Sequence, residues 1–471
     1  MARPPTSTPP IPAWLLPAAA LLAFLAQWPL VANPGYFSHD ELQWAARAWS
    51  ADGGPLPWMA WTDPGVFQYR PLTFNLWLWL SRHLFDTPMA FHAVLVAMGA
   101  LNTALLAGLL RRLGAAPAMA LIGALGFALG PYATYVHGWV GTIGDLLWVA
   151  MALACGWVCS TSSSTRRPRQ AAVAIGCALL TAIGLLAKEA ALSIPALLAV
   201  AALLDRERPG WRWGLLGSAL PAAAYLALRI GVLGAAGEGS GAYAWSIERI
   251  PVRALEYFVF LPQFGAFETL SALVRGFAAP SVWVAIALWL VVLAALARTG
   301  WRAPAALVGG GLAALGPVLV LPTAYNQYGY GFAAVVAGVF ALAWPRLPHW
   351  GRAATGLLAV LVLWHGIHVM RWMHRVGEVQ AVFTPALVEA VRDRDPARPL
   401  RLRVAADAKA WMFMRLTHEI PHVRGEPIGG RVVLVDGDVD GDVDGDVEGD
   451  AAADAVVRAD GRIEPLPAPD R

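Results

Sequence analysis

The fold is decided by the opening apolar run, "WLLPAAALLAFLAQWPLVA" (14–32), and by the stretch that ends it, "NPGYFSHDELQWAARAW" (33–49). A membrane-spanning helix needs about 20 mostly apolar residues, and the run meets that requirement. A cleaved signal peptide is the alternative, but the apolar segments that follow favour an uncleaved first transmembrane helix. His39, Asp40 and Glu41 stand side by side just after it, which raises the question of what two adjacent carboxylates do there.

The composition indicates an integral membrane protein. The chain has 471 residues, of which 58% are hydrophobic and only 14% are charged, and its mean hydropathy is +0.53. Soluble domains carry about 25% charged residues. The net charge of +3 says little by itself, and we expect no nucleic-acid partner. Cys155, Cys159 and Cys177 all lie in apolar runs, which favours packing over a disulfide framework or a zinc site.

About eleven apolar segments predict an all-α polytopic membrane domain over residues 1–370. They are 14–32, 89–110, 116–136, 143–160, 171–187, 190–204, 214–234, 280–297, 303–321, 329–344 and 353–370. Arginine and lysine concentrate in short cytoplasmic loops. With a cytoplasmic N-terminus every inner loop carries arginine; these loops are 111–114, 165–170, 205–213, 298–302 and 345–352. The short outer turns at 137–142 and 321–328 contain no Lys or Arg.

Three larger pieces then lie on the outer face. The first is the loop at 33–88, in which the short, Trp-rich segment 71–85 suits a juxtamembrane helix at the interface better than a span. The second is the loop near 235–279, which contains another interfacial segment. The third is 371–435, where one helical pattern and two strand-like runs predict a small extracytoplasmic α/β region. A unit of that size is marginal alone unless it docks on the membrane part.

The chain ends in an acidic low-complexity segment. The repeat "DGDVDGDVDGDVEGD" (436–450) matches the opening of an EF-hand calcium loop at Asp436, Asp438 and Asp440. The twelfth position of that loop is Val447 instead of Glu, and no helical pattern flanks the repeat. We therefore expect residues 436–471 to form a disordered acidic tail.

Polar and ionisable residues collect on the predicted outer side. Charges inside or at the ends of membrane helices are costly, so each is a candidate for function. They are Asp40, Glu41, Arg70, His137, Asp145, Lys188, Glu189, Arg229 and the turn at 325–328. Singly, each has a structural alternative: a Lys-Glu pair can cap a turn, a histidine can pack in the core, and an arginine can reach the lipid headgroups. Those alternatives do not require all of these groups to share one side.

This combination suits chemistry on a lipid-linked phosphate. Lysine and arginine would hold the phosphate and stabilise the negative charge that develops on the leaving group. A carboxylate would take the proton of an incoming hydroxyl as general base. Sugar transfer from a polyprenyl phosphate needs both kinds of group.

The Asp-Glu pair in the first outer loop, directly after the first span, resembles the GT-C superfamily of membrane glycosyltransferases. That superfamily includes the protein O-mannosyltransferases and the bacterial lipid A aminoarabinose transferases. Further stretches are similar to the transmembrane tetratricopeptide O-mannosyltransferases and their bacterial relatives. They are "YRPLTFNLWL", "LNTALLAGLLRRLG", the stretch from His137 to "GDLL", "LLAKEAALSIPALL", "YLALRIGVLG" and "PTAYNQYGYGFAAV". The similarity runs over about residues 30–340.

The resemblance implies a polyprenyl-phosphate sugar as donor, an acceptor hydroxyl outside the cytoplasm and inversion at the anomeric carbon. It makes Asp40 the general base and Glu41 its partner, which contacts the acceptor or a metal. Lys188 and Arg229 would bind the donor phosphate. The residues that would shape the site are Arg70, His137, Asp145, Glu189 and Tyr328. Some members bind a divalent cation, Mg or Mn, near the acidic pair, and the sequence leaves this open.

Two departures from the pattern widen the range of functions. No tetratricopeptide period follows residue 371, so the acceptor can be a glycan, a lipid or a protein. Gln327 stands where the relatives carry a basic residue. The main alternative to an enzyme of this kind is a flippase or transporter of a lipid-linked glycan. Two further alternatives are a glycan ligase that uses a diphosphate-linked donor and an inactive protein of the same fold. Transporters carry charges near the bilayer midplane, and the charge-poor spans here favour an enzyme. We expect a bacterial inner-membrane protein with its site facing the periplasm or exterior.

Overall fold

The computed structural model describes residues 10–49, 55–66, 68–161, 167–238, 244–263, 279–417, 420–435 and 453–466. Over these residues the chain is mostly helical, and eight helices are long and apolar enough to cross a membrane. A ninth span follows if the bent pair Pro117–Ala128 and Pro131–Gly138 is counted as one. The polytopic helical fold is thereby confirmed, whereas the count of eleven spans is not.

The elements are numbered in chain order. The helices are α1 (Leu15–Ala26), α2 (Trp28–Val31), α3 (His39–Ala48), α4 (Pro71–Leu84), α5 (Pro88–Arg112), α6 (Pro117–Ala128), α7 (Pro131–Gly138), α8 (Ile143–Thr161), α9 (Arg167–Ala187), α10 (Ser193–Leu204), α11 (Pro209–Glu238), α12 (Ile250–Phe260), α13 (Pro280–Arg298), α14 (Arg302–Leu315), α15 (Tyr330–Ala343), α16 (His349–Arg392) and α17 (Ala410–Thr417). The strands are β1 (Leu400–Val404), β2 (His422–Val423), β3 (Glu426–Pro427), β4 (Val432–Val435), β5 (Ala455–Val457) and β6 (Ile463–Pro465).

Two of the predicted spans are divided. The segment 14–32 separates at Gln27 into α1 and α2. The segment 116–136 separates into α6 and α7, which are bent by 59°. Pro131 has no N–H group, and its ring clashes with the preceding turn, so α6 cannot continue through it. The Gln27 side-chain amide donates a 2.5 Å hydrogen bond to the carbonyl of Ala128, which the end of α6 leaves without a helical partner.

The last predicted span, 353–370, forms part of α16, a continuous helix of 44 residues. The boundary predicted at residue 371 therefore falls inside a helix that joins the membrane part to the C-terminal region. Where α16 passes the bend between α6 and α7, Gly366 lies directly against the carbonyl of Leu129, and a Cβ there would overlap the carbonyl oxygen. The missing side chain permits this close approach.

The C-terminal region contains a four-stranded sheet in the order β4-β1-β5-β6. β1 pairs in parallel with both neighbours, with Leu402 opposite Leu434 of β4 and Ala455 of β5, and β6 runs antiparallel to β5. The prediction of a disordered tail from 436 to 471 is therefore wrong for 453–466. This segment follows the acidic repeat and supplies the buried strand β5, which pairs with β1. The repeat itself, 436–450, lies outside the described residues.

This small α/β region does not stand alone. Leu400 and Leu402 of β1 belong to the same buried cluster as Phe37, Tyr135 and Met373 of the membrane part. Phe413 of α17 packs edge-on against Phe383 of α16, with 5.0 Å between ring centroids. The docking that a unit of this size requires is thus present.

Three segments that are predicted to lie on the inner side contact one another: the N-terminal segment, the loop 111–114 and the loop 205–213. Arg111 donates a hydrogen bond to the carbonyl of Pro10 (3.0 Å), and Arg208 donates one to the carbonyl of Arg112 (3.4 Å). The Arg112 guanidinium lies 4.4 Å from the ring centre of Trp157. Trp157 is twelve positions along α8 from Asp145, or about 18 Å of helix. Two of the basic loops, 111–114 and 205–213, therefore lie at the opposite end of α8 from Asp145.

Substitution of Gly366 tests the packing of α16 against the bend. Gly366→Ala places a methyl group on the Leu129 carbonyl, so we expect a loss of about 1–3 kcal/mol in the free energy of unfolding, as for other overpacked sites. Gly356→Ala on the same helix meets nothing within 4 Å and should leave stability unchanged or slightly higher. Thermal unfolding of the purified protein in detergent measures both. Equal melting temperatures for the two variants would contradict the close approach.

Candidate functional site

The stretch that opens the first loop begins α3. Ser38 and Glu41 form a capping box: the Ser38 hydroxyl accepts from the N–H of Asp40 (3.4 Å), and the Glu41 carboxylate accepts from the N–H of Ser38 (2.5 Å). The other Glu41 oxygen accepts from the N–H of Val140 at 3.3 Å. Glu41 is 1% exposed. These contacts give Glu41 a structural explanation, and the catalytic role predicted for it stays a prediction.

The side chain of Asp40 is partly exposed, in contrast to the buried side chain of Glu41. The Asp40 side chain is 32% exposed, and one oxygen lies 3.2 Å from Nε2 of His39. It stands in the first turn of α3, where the helix dipole favours a negative charge. An incoming hydroxyl can therefore reach Asp40 from solvent, unlike the buried carboxylate beside it.

A buried ion pair lies where α8 meets the end of α9. Lys188 Nζ is 2.6 Å from Asp145 Oδ2, and the two side chains are 6% and 2% exposed. The indole N–H of Trp148 donates to the other Asp145 oxygen at 3.4 Å. The ammonium also lies 4.9 Å from the ring centre of Tyr328. Burial lowers the pKa of Lys188, and the charge of Asp145 opposes that shift.

A second ion pair joins the first loop to the same turn. Arg70 binds Glu189 with both arms of its guanidinium: Nε donates to Oε2 at 2.8 Å, and Nη2 donates to Oε1. Burial opposes ionisation of Glu189, but the charges of Arg70 and Lys188 outweigh it and lower the pKa of Glu189 to about 2. Its side chain remains 29% exposed. Four charged groups predicted for one side thus form two adjacent pairs.

Local packing brings these segments together. The hydroxyl of Thr73, in the first turn of α4, donates to the carbonyl of Ala187 at 2.7 Å. A Cβ at Gly144 would lie 3.1 Å from both groups. The small residue therefore lets the start of α8 approach α4 and the end of α9. The Glu41 carboxylate of α3 accepts from the N–H of Val140, in the turn at 140–142 that leads into α8. This hydrogen bond attaches α3 to the start of α8.

Arg229 joins α11 to the first loop. It is 1% exposed on α11, and Nη1 donates to the carbonyls of Pro64 and Val66. Its guanidinium lies 5.7 Å from the ring centre of Tyr69 and 5.8 Å from that of Tyr225. These contacts hold the first loop on α11, and the phosphate-binding role predicted for Arg229 stays a prediction.

His137 lies in a separate buried network. Its Nδ1 is 2.8 Å from Gln27 Oε1 and its Nε2 is 2.9 Å from the hydroxyl of Tyr330, which also accepts from Asn102 at 3.1 Å. The imidazole has no exposed surface. Its geometry fits the alternative of a packed histidine that joins α7 to the break after α1.

A groove of about 280 Å³ opens beside the Arg70–Glu189 pair. Its polar end is formed by Gln68, Arg70, Glu189 and Tyr328, and its walls are apolar. The wall residues include Leu226, Ile230, Leu233, Trp245 and Leu321. Leu226 and Ile230 belong to a membrane-spanning helix and are 41% and 66% exposed. The groove therefore runs from a charged end towards the lipid-facing surface.

A second cleft, of about 490 Å³, lies beside α3. Its lining includes Pro34, Tyr36 and Leu42, which bracket Asp40 in sequence. It also includes Arg392 of α16 and two residues of the C-terminal region, Arg424 and Glu426. The cleft therefore combines apolar and charged groups next to the helix that carries Asp40.

One buried ion pair was missed from sequence. Arg253 binds both oxygens of Glu256, at 2.9 and 2.7 Å, and donates to the carbonyl of Leu321 at 3.1 Å. The hydroxyl of Tyr257 donates to the carbonyl of Tyr325 at 3.4 Å. These contacts attach α12 to the turn that carries Tyr328. The available signal was an Arg and a Glu three positions apart within the apolar segment "IPVRALEYFVF".

The fit of a divalent cation at the acidic pair is poor. Both oxygens of Glu41 accept backbone N–H groups, so this carboxylate does not present a ligand pair with Asp40. Over the described ranges, no group of three or more His, Cys, Asp or Glu side chains could hold a metal ion. Dependence on Mg or Mn stays a prediction.

Comparison with known proteins adds no relative: no family model matches the chain, and neither the curated proteins nor the solved structures contain a significant match. The functional proposal therefore depends on the geometry of the two ion pairs, the groove and Asp40.

The Lys188–Asp145 pair can be tested through stability. Asp145→Asn leaves the ammonium buried without a counter-charge, which should lower the free energy of unfolding by about 3–5 kcal/mol. The double variant Asp145→Asn/Lys188→Met removes that charge and should recover a large part of the loss. Melting temperatures of Asp145→Asn, of Lys188→Met and of the double variant in detergent give the coupling energy between the two residues.

Glu464→Gln is the control, because it breaks an exposed pair with Arg458 and should leave the melting temperature unchanged. An Asp145→Asn protein as stable as this control would show that the buried pair is absent in solution.

Proposed function

We propose that this chain is an inverting membrane glycosyltransferase that moves a sugar from a polyprenyl-phosphate donor to a hydroxyl acceptor outside the cytoplasm of a bacterium. The observation that carries the proposal is the groove with one charged end and apolar walls beside a lipid-exposed helix face. Such a shape matches a ligand with a phosphate at one end and a hydrocarbon chain at the other. Ligand sites commonly combine an apolar lining with a few convergent polar groups.

The donor would lie with its isoprenoid chain along the apolar wall and its phosphate near Arg70. An arginine fork binds phosphate oxygens with two parallel hydrogen bonds. Lys188 lies behind it, paired with Asp145. Cations placed before the reaction stabilise the charge that develops on a leaving phosphate, and they do so best where water is excluded. Arg70 is therefore added to Lys188 and Arg229, the residues to which the resemblance gives the donor phosphate.

Asp40 would act as the general base. As the acceptor oxygen forms a bond to the anomeric carbon, its proton passes to the Asp40 carboxylate. The bond between that carbon and the phosphate oxygen breaks, and its electron pair leaves with the polyprenyl phosphate. A base must be reachable by the acceptor, and Asp40 is 32% exposed whereas Glu41 is buried. Glu41 would position Asp40 by closing the first turn of α3.

The acceptor would approach through the second cleft. Its walls contain Arg392, Arg424 and Glu426 beside apolar residues of α3 and the preceding loop. A mixed lining of this kind suits a hydroxyl-rich acceptor, and the glycan, lipid and protein classes all remain compatible with it. Orientation towards the outside agrees with the basic loops that cluster at the opposite end of α8.

Removal of the base tests the proposal. Asp40→Asn keeps the size of the side chain but removes its basicity, so transfer should fall by at least about 100-fold. A deletion strain is complemented with the wild-type chain, with Asp40→Asn or with Asp63→Asn, which changes another carboxylate of the same loop. Structural analysis of the envelope glycans then shows which sugar is missing.

We expect one sugar to be absent in both the deletion strain and the Asp40→Asn strain, and present with Asp63→Asn. Membrane insertion and melting temperature should be unchanged in Asp40→Asn. Full transfer by a stable Asp40→Asn protein would exclude Asp40 as the base. A glycan lost on deletion but restored by Asp40→Asn is the result expected of a flippase.

A further inference from the structure

The polar end of the groove already contains an anion in the free protein. Glu189 occupies the Nε and Nη2 positions of Arg70, and these two donors form one face of the guanidinium fork. A phosphate binds an arginine through the same kind of bidentate arrangement. Both Arg70 and Glu189 line the groove. A ligand phosphate and the Glu189 carboxylate therefore compete for one pair of donors.

We propose that Glu189 is an internal competitor of the donor phosphate, which binds by displacing this carboxylate from Arg70. The inference rests on the proposed function, and it adds a residue that determines specificity. Only an anion that binds Arg70 better than a tethered carboxylate opens the pair. A phosphate ester carried on a hydrocarbon chain meets that condition through its additional contacts with the apolar wall.

The environments of the two carboxylates identify Glu189 as the one that moves. Asp145 is 2% exposed and accepts from both Lys188 and Trp148. Glu189 is 29% exposed and begins a short 3₁₀ turn, Glu189–Leu192, at the groove. Because its side chain is partly exposed, its carboxylate can turn towards solvent without leaving a buried charge unpaired. Asp145 has no such route, so Lys188 keeps its partner during the exchange.

The electrostatics of the exchange are balanced. Two cations, Arg70 and Lys188, are paired with two carboxylates, Glu189 and Asp145, so the two pairs together carry no net charge. The pKa of Glu189, lowered to about 2 against the effect of burial, keeps this group ionised at neutral pH. An ionised competitor lowers the affinity for every anion. The factor is the same for each anion that uses this fork, so the site favours a phosphate that gains further contacts with the apolar wall.

Direct binding tests the competition. The full chain, in nanodiscs of neutral lipid, is titrated with a long-chain polyprenyl monophosphate. Glu189→Gln keeps the shape of the side chain but removes its charge. We expect binding about tenfold tighter than wild type, because a neutral amide competes less strongly than a carboxylate for the guanidinium. Glu189→Asp, which shortens the carboxylate, should bind with intermediate affinity. Arg70→Gln should lose at least about tenfold.

Controls separate the sources of the effect. Glu248→Gln makes the same chemical change on the turn at 247–249, next to the groove residue Trp245 but outside the groove lining, and should leave affinity unchanged. Inorganic phosphate and the uncharged polyprenol are parallel probes. We expect neither to bind detectably to wild type, because each supplies only one half of the ligand. Melting temperatures without ligand establish that each variant is folded.

The outcomes distinguish the inference from the function on which it rests. Tighter binding in the order Gln, Asp, wild type supports competition by Glu189. If wild type binds the lipid phosphate but Glu189→Gln binds it equally or more weakly, the pair is a structural bridge and the inference is overturned while the proposed function stands. If no variant binds the lipid phosphate, the proposed donor is wrong. Binding of inorganic phosphate as tight as that of the lipid phosphate would contradict the lipid source.

Discussion

The Lys188–Asp145 ion pair is the contact on which the polar end of the bundle depends. Neither charge can lie unpaired among apolar helices, because taking a charge out of water costs several kcal/mol even after the protein relaxes. The pair joins the start of α8 to the turn after α9, and Thr73 attaches α4 to the same turn. Arg70 and Glu189 then meet beside it, and the groove begins at this second pair.

Two adjacent ion pairs are poorly explained by stability alone. Replacing a buried pair by well-packed apolar residues is often neutral or stabilising. Here the Lys188–Asp145 pair is buried, whereas the Arg70–Glu189 pair lines a groove and its carboxylate is partly exposed. This difference gives the two pairs different roles under the proposed function: Lys188–Asp145 holds the turn in place, and Arg70–Glu189 exchanges partners.

Much of this arrangement could be predicted from sequence, because the bilayer imposes simple rules. Hydropathy located most of the helices, and two of the arginine-bearing loops that it delimits lie together in the structure. The cost of charge in apolar surroundings singled out Arg70, Asp145, Lys188 and Glu189 as candidates for one site. Which of them pair is a tertiary property that no local pattern contains, and the same holds for the groove formed between α11 and distant turns.

The remaining differences also have physical causes. Hydropathy does not register the bend between α6 and α7, since apolar residues continue across it. The composition of the acidic repeat concealed β5, whose backbone partner is β1, more than fifty residues earlier. His137, Glu41 and Arg229 were candidates because polar groups are rare in such a chain. In the structure each satisfies neighbouring polar groups: side chains of the buried network for His137, N–H groups for Glu41 and loop carbonyls for Arg229.

The most direct measurement of the central claim is a cryo-electron microscopy map of the full chain in lipid nanodiscs with a non-transferable polyprenyl-phosphate sugar. The account predicts phosphate density within hydrogen-bonding distance of Arg70, Glu189 turned away from the guanidinium, and the hydrocarbon chain along Leu226 and Leu321. The sugar should lie between the phosphate and Asp40. A phosphate bound elsewhere, with the Arg70–Glu189 pair still closed and no sugar near Asp40, would contradict it.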